Sequence, residues 1–315
     1  MPEAVHFTKP FRRVLVATDF SATSEAARDH ALALSAPGAL VAFLHATALP
    51  IPESAPQPTW LPDGASPRAE LMACLRTFAE PATRSGHVVQ LLLENGLPAE
   101  TILTATAAMH ADLVVLGTHG RRGFVRLMGS TAQHVLRQCS VPVLTASSSC
   151  DRAVAGVKRI LCAVGTTVCA STVSFAERLA KSSGASLTYV HVLPPPVGAA
   201  VSRKGEVKTY YTSAEPGARR RLSEALHAAG SDGAELVIVG GRAPTEILRV
   251  AERTGADIIV MGARDVHAPD TGFFGSTVER VIRRAVCPVL TLRHSAAERS
   301  AQELPAYSVM TARGK

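Results

Sequence analysis

The stretch ADLVVLGTHGRRGFVRLMGST, Ala111 to Thr131, decides how this chain is read. An apolar run, LVVL, is followed by a glycine-rich basic loop. The loop then enters an apolar-periodic segment, AQHVLRQC, at Ser130-Thr131. A buried strand that passes through a loop into a helix is the local pattern of an α/β crossover. A second stretch, ADIIVMGARDVHAPDTGFFGST, Ala256 to Thr277, has the same setting.

Working outward, the rest of the chain also repeats. RRVLVATDF pairs with RILCAVGTT, LVAFLHAT with LTYVHVLP, and GSTAQHVLRQCSVPVLT with GSTVERVIRRAVCPVLT. Pro98 and Pro244, Gly129 and Gly275, and Pro142 and Pro288 each recur 146 residues apart. So long a period is a duplicated domain and excludes a solenoid. The expected units are 11–147 and 158–293, with Ser147–Val157 as linker and 294–315 as a mobile tail without periodicity.

Each copy alternates apolar runs with helical patterns. In the first, strands are expected at Val14–Ala17, Val41–His45, Val88–Leu93, Leu113–Leu116 and Val141–Thr145. Helices are expected at Ser24–Ser35, Arg68–Ser85, Ala99–Met109 and Ser130–Cys139. The fold class is α/β: two tandem doubly wound domains, each a five-stranded parallel sheet ordered 3-2-1-4-5 with helices on both faces. Two Pro-rich segments, Pro50–Pro67 and Pro194–Pro216, read as loose connections near the C-terminal ends of the strands, where ligands bind in open α/β sheets.

Composition narrows the function classes. The 315 residues are 47% hydrophobic and 19% charged, a core-forming balance. The net charge of +7 permits anionic partners, but no basic stretch is interleaved with aromatics, so nucleic acid is not indicated. Arg219-Arg220-Arg221 reads as a solvated helix face. Six cysteines without a CxxC pair read as reduced and buried, with any redox role of Cys162 and Cys169 left open. The start of the chain has no signal-peptide core, and the most apolar stretch is broken by Pro37 and Gly38. A cytoplasmic protein is expected.

The glycine loop admits two readings. Gly117 and Gly120 allow positive φ and close ligand approach. Gly129-Ser130-Thr131 opens a helix whose free amides and dipole suit a phosphate, with Arg121 and Arg122 as counter-charge. Equally, Ser130-x-x-Gln133 and Ser276-x-x-Glu279 are capping boxes that a helix needs for its own stability. Asp19, in VATDFS, is placed either to accept bonds from a nucleoside or, with Ser21, to cap a helix. No Walker A loop is present, and Gly117-x-x-Gly120-x-x-Gly123 is not a dinucleotide fingerprint. No carboxylate is placed as an evident general base, and the eleven histidines have no metal-ligand spacing.

VATDFS, His45, the GxxG after ADLVVL, the Gly-Ser-Thr helix entry and VPVLT together resemble the universal stress protein family, in tandem form, from about Phe11 to Leu292. The resemblance implies an adenine-nucleotide α-hydrolase-like fold and an ATP site, with magnesium, at the C-terminal sheet edge. Asp19 would contact adenosine, with Ala17 and Thr18 beside it. Ala46 would meet adenine through its backbone, and Leu116 would line the base pocket. Gly117, Gly120, Gly129, Ser130 and Thr131 would hold the phosphates. It also implies pairing through the last strand of each copy, an intramolecular pseudo-dimer, and leaves open a homodimer of chains and an unidentified protein partner.

Two departures stand out. The family's ATP pattern has nine residues between its last two loop glycines, whereas the first copy has eight, Arg121 to Met128. The second copy has nine but carries Gly165 in place of Asp19 and Asp265 in place of Gly120. The expected function is therefore a stress-response regulator that binds ATP in its first copy, hydrolyses it slowly at most, and keeps the second site empty. A nucleotide-free interaction module is the alternative. An adenylating enzyme is more distant, because no SGGxDS-type loop occurs.

Overall fold

The structure is a computed structural model that describes residues 11–47, 67–118, 128–147, 150, 156–196, 204–263 and 276–293. The first copy runs β1 (Phe11–Ala17), α1 (Ala22–Leu34), β2 (Ser35–Thr47), α2 (Pro67–Arg84), β3 (Val88–Asn95), α3 (Pro98–Ala108), β4 (Leu113–Gly117), α4 (Ser130–Gln138) and β5 (Val143–Ala146). The second runs β6 (Arg159–Ala163), α5 (Ala170–Ser183), β7 (Ser186–Leu193), α6 (Lys204–Ala228), β8 (Glu235–Gly240), α7 (Ala243–Thr254), β9 (Ile258–Ala263), α8 (Ser276–Arg284) and β10 (Val289–Arg293).

Alternating side chains of the strands feed two apolar layers. Val14 and Val16 of β1 face α1 and α2, where Ala27, Ala31, Leu75 and Phe78 are buried. Leu15 and Ala17 face α3 and α4, where Ile102, Val135 and Leu136 are buried. Period-two alternation with both faces covered produces these near-continuous apolar strands. A carboxylate sets where β1 begins pairing: Asp112 accepts from the amides of Arg12 (2.8 Å) and Arg13 (3.0 Å). Its twin Asp257 does the same for Lys158 (2.9 Å) and Arg159 (2.8 Å), which explains the repeated Ala-Asp before each fourth strand.

Each half-sheet has the expected 3-2-1-4-5 order, but the halves are not separate sheets. One ten-stranded sheet runs β3-β2-β1-β4-β5-β10-β9-β6-β7-β8. The junction is the single antiparallel pair among the described residues, with Val289 opposite Thr145, Leu290 opposite Leu144, and Thr291 opposite Val143. Leu144 and Leu290, equivalent positions of the two copies, face each other there. The flanking threonines are also equivalent: Thr145 donates to the Val289 carbonyl and Thr291 to the Val143 carbonyl, both at 3.2 Å. Pairing these strands covers two edges that would otherwise expose unpaired amides.

Both apolar layers continue across this junction into the second copy. Leu144 is fully buried at its centre. Leu144→Ala is therefore expected to cost about 2–5 kcal/mol, and urea unfolding should keep one transition with a lower midpoint. Two separate transitions would show that the halves fold independently.

Three local expectations are corrected. The stretch 194–216 is not a loop throughout, because α6 starts at Lys204 and holds Pro216 within it. The Tyr211 ring lies where a Cβ on Gly240 would be, 2.5 Å away, so close packing on the end of β8 anchors the early turns of α6. The matching segment, apart from Pro67, lies outside the described residues, as does 294–315. The linker does not begin free: Ser147 is buried and donates to the Ala285 carbonyl at 2.9 Å. Not every cysteine is buried, since Cys74 is exposed on α2 and Cys169 partly so. Among the described residues, no helix is long and apolar enough to cross a membrane.

Candidate functional site

The C-terminal ends of β1, β2 and β4 meet on one edge of the first half-sheet. β1 ends by donating the Thr18 amide to the Leu44 carbonyl at 2.9 Å. The Thr18 carbonyl in turn accepts from Nδ1 of His45 at 2.8 Å. His45 thus pins the end of β1 to β2 and brings Ala46 beside it. Thr18 itself is buried, and its Oγ1 lies 3.0 Å from Ser24 Oγ and accepts the Phe20 amide at 2.9 Å.

The turn after β1 is tightly specified. Asp19 Oδ1 accepts the Ser21 amide at 3.1 Å, an Asx turn. Ser21, not Asp19, is the N-cap of α1, accepting the Ser24 amide at 3.4 Å. Phe20 between them has φ of 61°, a conformation that costs a bulky residue about 1–3 kcal/mol. Its ring sits 4.6 Å from His45 and 6.1 Å from Phe78 of α2, and these contacts hold it there. Phe20 was not singled out by sequence reasoning. The signal that finds it is the positive φ, which no pattern of residue types announces.

Gly117 departs from the positive φ expected of it. It is the last residue of β4 and does not adopt positive φ. A Cβ there would stand 2.5 Å from Thr23 Oγ1 and 2.9 Å from the Thr23 backbone carbon. Gly117 is glycine because the start of α1 lies against it. The next residue, Thr118, is buried, gives its amide to the Ala146 carbonyl and accepts the Gly129 amide, both at 2.9 Å. That links the end of β4 to the entrance of α4.

At that entrance the expected capping box is also corrected. The N-cap is Gly129, with φ of −61° and no side-chain cap, and Ser130 is the first helical residue. Ser130 is therefore in the helix and not at the position where its hydroxyl would cap it. A Cβ on Gly129 would meet nothing nearer than the Thr118 carbonyl oxygen at 3.7 Å. The first turn of α4 has no acidic residue, Ser130 is exposed, and Thr131 is partly so. Ala17 and Leu116 lie buried beneath, in the layer shared with α3 and α4. His119, Gly120, Arg121 and Arg122 fall outside the described residues, as do Asp265 and Gly275.

The second copy keeps the frame of this edge without its carboxylate. Val164 repeats the amide bond of Thr18, to the Val190 carbonyl at 2.9 Å, and His191 repeats the bond of His45, to the Val164 carbonyl at 3.0 Å. But Val164 and Val168 are buried, Gly165 has no side chain, and α5 starts only at Ala170, after an N-cap Cys169 without a side-chain cap bond. Helix α5 begins two residues later in register than α1.

Histidines also set a pH response. Burial holds the imidazoles of His30 and His191 below the ordinary 6.5, opposed by Asp29 for His30 and by the Val164 and Gly165 carbonyls for His191. The native state therefore resists protons that the unfolded state accepts below 6.5. This contribution to stability is full above that value and lost as pH falls below it. The urea midpoint should drop between about pH 7.5 and 5.5. The double variant His30→Gln with His191→Gln should drop less. An equal drop would assign the effect to other groups.

A doubly wound fold, duplicated, with a polar turn and an uncapped helix entrance at one sheet edge, defines the class. The chain belongs to the universal stress protein family, whose sequence profile matches it twice, at residues 10–147 and 156–293. It is 34% identical over 136 residues to a universal stress protein of Thermus aquaticus, covering 42% of this chain and 97% of that protein. With a universal stress protein of Methanocaldococcus jannaschii it shares 32% over 78 residues, 24% of this chain and 46% of that protein, so it spans about half the length of that relative. The crystal structure of a universal stress protein from Archaeoglobus fulgidus aligns at a TM-score of 0.62 with 20% identity, over 93% of this chain and 99% of that one, a likeness of fold.

Proposed function

We propose that this universal stress protein binds ATP with magnesium at the C-terminal edge of its first half-sheet and acts as a cytoplasmic stress-response regulator, with slow hydrolysis at most. The observation that carries the reading is the asymmetry between the copies. The first has the Asp19 carboxylate in a fixed polar turn beside a helix entrance without acidic residues. The second has Gly165 at that position, in a turn that holds Thr166 and Thr167 but no carboxylate.

The residues fit the ligand. Asp19 would accept from the nucleoside, beside Ala17 and Thr18. Ala46 and Leu116 would border the base. The amides at the start of α4, with Gly129, Ser130 and Thr131, would meet the phosphates, where the helix dipole favours negative charge. Gly117 and Gly120 would add backbone contacts to the phosphates. Magnesium would come with the phosphates. The second edge would stay empty, and the two copies would act as an intramolecular pseudo-dimer joined at β5 and β10.

The nucleotide-free alternative is favoured by one observation, the eight-residue spacing from Arg121 to Met128. The test is direct: denature the purified protein, then identify released nucleotide by chromatography and mass spectrometry, and titrate stripped protein with Mg·ATP. Released adenine nucleotide, or saturable rebinding, supports the reading. No nucleotide and no binding leaves the interaction module.

A further inference from the structure

Helix α4 receives a cation from the other copy. Its nine residues have an uncapped N-terminus, and its last carbonyls have no intrahelical partner. One of these, the Gln138 carbonyl, accepts from Arg293 Nη1 at 3.0 Å. Arg293 is the last residue of β10, across the antiparallel junction. The equivalent residue of the first copy, immediately after β5, is Ser147. It donates Oγ to the Ala285 carbonyl, just past the end of α8, at 2.9 Å.

The exchange is reciprocal in position but unequal in charge. Helix α8 receives a hydroxyl, whereas α4, whose entrance belongs to the edge with the intact polar turn, receives a guanidinium. A cation at a helix C-terminus complements the dipole and fixes the end of the helix. The Arg293 charge is felt at that end: burial raises the Cys139 thiol pKa, and Arg293 works against it.

We infer that Arg293 of the second copy is a positioning residue for the phosphate end of the first copy's site, acting through α4. This rests on the nucleotide reading above. A second copy whose turn has no carboxylate then still has a task in binding: it holds the far end of the helix that would face the phosphates.

The test uses the full chain and two ligands, Mg·ATP by calorimetry and adenosine by competition against ATP. Arg293→Ala is expected to weaken ATP by about twofold to fivefold and to leave adenosine unchanged, because adenosine has no phosphate for α4 to meet. Arg293→Lys should restore most of the ATP affinity, and Ser147→Ala should change neither ligand. Wild-type ATP affinity in Arg293→Ala would overturn the inference. So would an equal loss for adenosine, which marks a merely structural role. A wild-type protein that binds neither ligand would instead overturn the nucleotide reading itself, and this inference with it.

Discussion

Asp19→Ala lowers Mg·ATP affinity by about tenfold to a hundredfold, equivalent to about 1.5–3 kcal/mol for a hydrogen bond to a charged group. The fold should survive, because Thr18 still holds the turn through Ser24 and Phe20, and Ser21 still caps α1. Asp19→Asn separates the two roles of the side chain. The amide oxygen can still accept from the Ser21 amide and keep the turn, but the charge is gone. If affinity follows charge, Asn resembles Ala; if it follows turn geometry, Asn resembles wild type. Calorimetry alongside a thermal melt distinguishes these. Unchanged affinity in Asp19→Ala would remove Asp19 from the site.

Gly117→Ala carries the second large effect. The new methyl would stand 2.5 Å from Thr23 Oγ1, which can rotate, but also 2.9 Å from the Thr23 carbon and 3.0 Å from the Ser24 amide, which cannot. The start of α1 must move, at a cost of about 1–3 kcal/mol. That start includes the Ser21 cap, so the turn around Asp19 moves with it and ATP binding falls as well. Gly129→Ala is the contrasting case. There the methyl has room, and loss of the preferred N-cap glycine costs about 1 kcal/mol. It would, however, project where α4 is expected to meet phosphate. Gly129→Ala should stay folded and lose affinity, whereas Gly117→Ala should lose both. Equal stability of Gly117→Ala and wild type by urea unfolding would contradict the packing argument.

Much of the fold is legible in the residues. LVVL and IIVM announce buried parallel strands, and the 146-residue repeat announces two copies. What escapes is what depends on side chains meeting across the chain. Gly117 reads as a loop glycine until Thr23 is seen against it. Ser130 reads as a cap until the chain enters the helix one residue earlier. Pro216 reads as a break until Tyr211 is found packed on Gly240. The joining of two sheets into one follows the pairing of last strands that the resemblance implies; what the sequence leaves open is the register, in which Leu144 and Leu290 face each other. For the site, Asp19, Ala46 and Gly129 are legible as motif positions. Phe20 and Thr118 are not, because a backbone angle and a strand-to-helix link leave no pattern in residue type.

The most direct test of the central claim, a division between a nucleotide-binding first copy and an empty second one, is the stoichiometry of Mg·ATP binding to the stripped full chain. One site per chain, lost in Asp19→Ala, is the predicted result. Two sites per chain, or one site that survives Asp19→Ala, would contradict it.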